Sequence, residues 1–152
     1  MRGIVKDEYA TAAAILANFL NRIDGNIIVT QGTHGINSGQ VYVVREPRGQ
    51  LLAHYDTEER RLYVSKQAFK NDCNRIGANS VQVLKECFEN RDSAGRRLVQ
   101  AAQWRKTLGA GTNWGKVQSN CFVVNMEHDD VDDVKTELIN ASTLVKEHRT
   151  AQ

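Results

Sequence analysis

Basic side chains crowd the middle of this 152-residue chain, and their grouping points to phosphate chemistry. Lys66, Lys70, Arg75 and Lys85 fall on two short helical patterns, while Arg96, Arg97, Arg105, Lys106 and Lys116 fall within and around a stretch, 104–116, that reads as a hairpin wing. Residues 1–57 carry five basic and five acidic groups, residues 58–120 twelve and six, and residues 121–152 three and seven. The formal charge of +2 therefore resolves into 0, +6 and −4 along the chain. A positive centre ahead of a negative end predicts a central surface for a polyanion, because ammonium and guanidinium groups bind phosphate oxygens through charge-assisted hydrogen bonds.

Other chemistries fail on spacing. In Gly109-Ala-Gly-Thr-Asn-Trp-Gly-Lys116, a nucleotide-hydrolysing phosphate loop would need glycine at 110 and a hydroxyl residue at 117, where Ala110 and Val117 stand. A dinucleotide-binding loop would need its third glycine one residue earlier than Gly115 and a helix after it, whereas a strand composition follows. Two readings of the stretch remain. One is a wing that approaches a sugar-phosphate backbone, with Lys116 on a phosphate and Trp114 stacking or inserting; the other is an ordinary hairpin loop. The acidic run Glu127–Asp133 lacks the glycine and terminal glutamate of a calcium loop and suits a helix N-terminus instead. His34, His54, His128 and His148 show no metal-ligand spacing, although a site built around His34 and His54 in three dimensions stays open. Cys73, Cys87 and Cys121 are too widely spaced for a zinc knuckle and read as reduced, packed thiols. No cofactor is expected.

The elements that would position these groups follow from hydrophobic periodicity. Ala12, Ile15, Leu16, Phe19, Leu20 and Ile23 predict an amphipathic helix from Asp7 to about Ile23. Strands are predicted at 26–30, 40–45, 51–55 and 61–64, with a loop across 32–39 and a turn at Pro47-Arg-Gly49 joining the second and third. Ser65 can cap a helix running to about Ile76, with Gly77 past its end; Asn79-Ser80 can cap another to about Glu89, its apolar side formed by Val81, Leu84, Cys87 and Phe88. Residues 100–103 are ambiguous, 120–126 read as a strand, and a last helix is predicted from His128 to about Lys146. The expected fold class is α+β: one domain over 1–152, with a small antiparallel sheet and a helix-turn-helix plus β-hairpin wing over 65–126. If DNA is the polyanion, Ser80, Gln82 and Lys85 are placed to reach base edges, while Glu86 and Glu89 would repel phosphates.

The segments Leu62-Tyr-Val-Ser-Lys-Gln-Ala-Phe-Lys-Asn-Asp-Cys73, Arg105-Lys-Thr-Leu-Gly-Ala-Gly-Thr112 and Cys121-Phe-Val-Val124 resemble the C-terminal region of phage and mobile-element primase-helicase replication proteins, over about residues 14–126. The resemblance implies a winged-helix accessory module that follows an ATPase core, binds DNA at origins or forks, and belongs to a longer protein. It further implies other replication proteins as partners. No ATPase motif occurs here, so the implied role is non-enzymatic. The alternative is a protein-interaction or oligomerisation module without DNA binding. Residues 1–8 lack the apolar core of a signal peptide, and no apolar run is long enough to span a bilayer, so the expected compartment is the cytoplasm with no membrane partner.

Overall fold

The computed structural model describes residues 11–32, 41–115 and 118–131. Helix α1 spans Ala12–Arg22, and the expected start at Asp7 lies outside the described residues. Thr11 is extended (φ −75°, ψ 160°), and its Oγ1 accepts the Ala14 N–H at 3.0 Å, which satisfies one donor that a helix start leaves unpaired. Strands β1 (Ile27–Gly32), β2 (Val41–Arg45), β3 (Ala53–Asp56) and β4 (Arg61–Ser65) follow. Helices α2 (Lys66–Ile76) and α3 (Ser80–Glu89) lead into β5 (Val99–Thr107) and β6 (Gln118–Asn125), and a 3-10 turn spans Asp129–Val131. The helix expected from His128 to Lys146 lies mostly outside the described residues.

The expected small antiparallel sheet is in fact a mixed sheet of six strands, ordered β2-β1-β3-β4-β6-β5, in which β1 and β3 are parallel and every other neighbouring pair is antiparallel. The cause lies at Pro47-Arg-Gly49, which does not close a hairpin. Instead Arg48 N–H donates to the Gly25 carbonyl, and Asn26 Nδ2 donates to the carbonyls of Arg48 (3.1 Å) and Gln50 (2.8 Å). Leu52 N–H then donates to the Asn26 carbonyl at 2.9 Å. These bonds carry the chain across the start of β1, so β3 enters on the far edge and runs parallel to it.

Strand alternation divides the sheet into two faces. Leu62, Val64, Phe122 and Val124 point toward the helices and join Leu16, Phe19, Phe69, Val83 and Cys87 in the main core. Tyr63, Cys121 and Val123 point the other way and form a smaller cluster with Leu108. Phe69 ties the two layers together, edge-on to Phe19 at 5.1 Å and to Phe122 at 5.3 Å between ring centroids. The helix boundaries obey local chemistry. Ser65 Oγ accepts the Ala68 N–H at 3.2 Å, Gly77 ends α2 with φ 77°, and Asn79 Oδ1 accepts the Gln82 N–H at 3.0 Å.

One helix face differs from expectation. Val81 is 76% exposed, and the buried residues of α3 are Val83, Leu84 and Cys87. Because α3 packs against α1 and β5 together, its buried stripe is turned so that Val83 takes the inward place and Val81 is left in solvent. Replacing Phe69 by Ala should therefore lower the unfolding free energy by ~3–5 kcal/mol in urea titrations, the usual cost of deleting a buried aromatic. Val81→Ser should change it by less than ~0.5 kcal/mol, as at an ordinary surface position.

Candidate nucleic-acid interface

Between α2, α3 and the β5–β6 hairpin lies a groove of about 810 Å³. It exists because β5 is an edge strand, and its stretch 102–105 is exposed rather than covered by a helix. Ser80, Val81, Leu84, Lys85 and Phe88 give α3 one stripe along the groove, and Lys66 and Lys70, four residues apart on α2, reach it from the opposite wall. Ala102, Gln103, Ser119 and Asn120 supply the strand side. The lining thus contains three lysines and no carboxylate. Lys66 donates to Gln103 Oε1, whereas Lys70 and Lys85 have no ion pair or hydrogen bond among the described residues.

The remaining expected site residues scatter. Gln82 leaves the groove: its Nε2 donates to Glu86 Oε2 at 3.2 Å on the outer side of α3. Neither Glu86 nor Glu89 lines the groove, so the repulsion they threatened falls on another face. Arg96 is half-buried and engaged by three carboxylates. Its Nε lies 2.9 Å from Asp92 Oδ2, and its two terminal nitrogens lie 3.6 Å from Glu127 and 3.5 Å from Asp129. Although desolvation opposes it, hydrogen bonds from the Arg96 backbone, the Arg96 guanidinium and the Ala94 N–H hold the Asp92 carboxyl down at about 2. Arg97 stacks over the Phe88 ring at 4.2 Å and donates to the Phe88 carbonyl at 2.7 Å. These two arginines brace the turn between α3 and β5.

Arg105 and Lys106 adjoin in sequence and part in space. Arg105 pairs across the ladder with Asn120, on the groove side of the sheet, and donates to Gln118 Oε1 at 3.0 Å. Lys106 lies on the opposite face, its ammonium 4.6 Å from the centre of the Tyr63 ring. Trp104 shares that opposite face, 43% exposed and 6.3 Å from Tyr63.

The stretch 109–115 is a compact chain of turns rather than an open loop. Gly109, with φ 75°, donates its N–H to His54 Nδ1 at 3.0 Å, and a side chain at Gly115 would begin 2.4 Å from the Gly109 carbonyl oxygen. Both glycines therefore serve the packing of the turns themselves. Trp114 donates its backbone N–H to Thr112 Oγ1 at 3.1 Å and is half-buried there; Lys116 lies outside the described residues. The anchor of these turns, His54, is 3% exposed. Because its Nδ1 accepts a backbone N–H, Nε2 carries the proton and donates to Thr30 Oγ1 at 2.6 Å. Burial first, and repulsion from Lys106 second, push the imidazole down to about 4, with Glu59 opposing.

Reactive groups are quiet elsewhere. Burial raises the Cys73 and Cys121 thiols to about 11 and Cys87 to about 12, so none is a thiolate nucleophile. No three His, Cys, Asp or Glu groups among the described residues are grouped to hold a metal ion. Within those residues no helix is long and apolar enough to cross a membrane. Comparison with protein-family models, curated proteins and solved structures found no match.

A buried neutral histidine makes stability depend on pH. The unfolded imidazole titrates near 6.5 and the folded one near 4, so the stabilisation is complete above 6.5 and is lost as the pH falls toward 4. Urea midpoints taken from pH 7 to pH 4 should fall by the equivalent of about 3 kcal/mol from this group. His54→Gln should remove that part of the slope.

Proposed function

We propose that this chain is a non-enzymatic DNA-binding module, and that the groove between α2, α3 and the β5–β6 hairpin is its binding surface. The observation that carries this reading is the charge of the groove: Lys66, Lys70 and Lys85 line it, and no carboxylate does. Arg105 extends the same positive surface along the hairpin. Such an arrangement attracts phosphates through counterion release as well as by direct contact.

The connectivity supports the reading. The run β4-α2-α3-β5-β6, with β4 and β5 flanking β6, is the chain order of a winged helix, here continued by three further strands. In that comparison α3 takes the position of the recognition helix and the hairpin that of the wing. The likeness of residues 62–73, 105–112 and 121–124 to phage and mobile-element replication proteins gives the reading its biological setting: an accessory module acting on DNA at an origin or fork, beside other replication proteins.

Fluorescence anisotropy with labelled DNA at roughly 50 and 200 mM salt tests this directly, because phosphate-driven affinity falls steeply across that range. Lys70→Gln combined with Lys85→Gln should weaken binding more than tenfold at the lower salt and reduce the slope of log affinity against log salt by about 1.5. An unchanged slope in the double variant would overturn the assignment of the groove.

A further inference from the structure

The groove is not a plain phosphate track, because its cations surround an apolar floor. Val81, Leu84, Phe88 and Ala102 line it together with the lysines, and Val81 leaves 76% of its surface open to solvent. Around that floor stand amide and hydroxyl groups from Gln67, Gln103, Asn120, Ser80 and Ser119.

Resting on the reading of this groove as a DNA site, we propose that its ligand is single-stranded DNA, whose unpaired bases lie on the Val81–Leu84–Phe88 floor while its phosphates meet Lys66, Lys70 and Lys85. A duplex keeps its base faces stacked inside and offers the floor only phosphates and sugars, which gain nothing from apolar contact. An unpaired strand offers both parts of the match: a charged edge for the ammonium groups and flat apolar faces for the floor. The amides and hydroxyls can meet base edges that pairing would otherwise occupy. The outer side of α3 argues in the same direction. A helix entering a duplex major groove does so on its exposed stripe, and here that stripe carries the Gln82–Glu86 hydrogen bond and exposed Glu89. The two carboxylates would face the phosphate walls of the groove.

The test compares three labelled ligands of about 16 nucleotides with the whole chain at roughly 50 mM salt: an oligothymidine strand, a duplex, and a strand of abasic sites that keeps the phosphates and lacks the bases. The oligothymidine should bind roughly tenfold or more tightly than either of the others. Val81→Ser, a change at an exposed position, should bring the oligothymidine close to the abasic strand without altering abasic affinity. Equal binding of oligothymidine and abasic strands, a preference for duplex, or unchanged selectivity in Val81→Ser would each overturn the proposal and leave DNA binding by the lysines standing. Failure of all three ligands to bind would overturn both readings together.

Discussion

The pairing of β4 with β6 is the contact on which the rest of this architecture depends. Residues 61–65 lie against 121–125 in an antiparallel ladder that joins the first four strands to the hairpin formed after the helices. The register sets Leu62 opposite Val124 and Val64 opposite Phe122, so both pairs point to the helices and Phe122 meets Phe69. A slip of β6 by one residue against β4 would turn Val123 into that core and expel Phe122. With β6 taken by β4, β5 is left as the edge of the sheet, and its exposed stretch becomes the wall of the groove that α2 and α3 complete. The candidate site is thus a by-product of strand order, built from helices and strands rather than from mobile loops.

Within this frame the positive charge is sorted into two populations. Arg96 and Arg97 complete internal contacts with Asp92, Glu127, Asp129 and Phe88, and Arg22 bridges α1 to Asp72 on α2. Their guanidinium groups suit that task, since a planar fork can serve several acceptors or stack on a ring. The lysines of the groove are different. Lys70 and Lys85 are point charges on flexible stems with no partner among the described residues, and they line the same groove as Val81, Leu84 and Phe88. The segment charge of +6 counts Arg96 and Arg97, whose guanidinium groups are already engaged, as fully as it counts the groove lysines.

This division explains how far the sequence could be read. Ser65, Gly77 and Asn79 act on backbone groups three or four residues away, so the boundaries of α2 and α3 were legible from local pattern. Lys66 and Lys70 were legible as neighbours because four residues is about one helical turn. What escaped depended on contacts between distant segments. The parallel pairing of β1 with β3 rests on Asn26 reaching the carbonyls of Arg48 and Gln50, and a Pro-Arg-Gly turn looks the same whether it closes a hairpin or a crossover. Gln103 and Asn120 joined the site only once the hairpin was placed beside α3, and Arg96 left it only once Glu127 and Asp129 were brought near. Arg105 and Lys106, read as one basic pair, were divided by the two-residue alternation of β5, which an ambiguous composition over 100–103 had hidden.

The proposed ligand site lies between α2, α3 and the hairpin. Amide NMR spectra of the labelled protein, recorded as a thymidine oligonucleotide is added, test that place residue by residue. Shifts should concentrate at Lys66, Lys70, residues 80–88, Gln103 and Asn120, with little change at His54 or Gly109 on the opposite face of the sheet. Shifts gathered instead around Trp104, Lys106 and the turns at 109–115, with the groove unmoved, would contradict it.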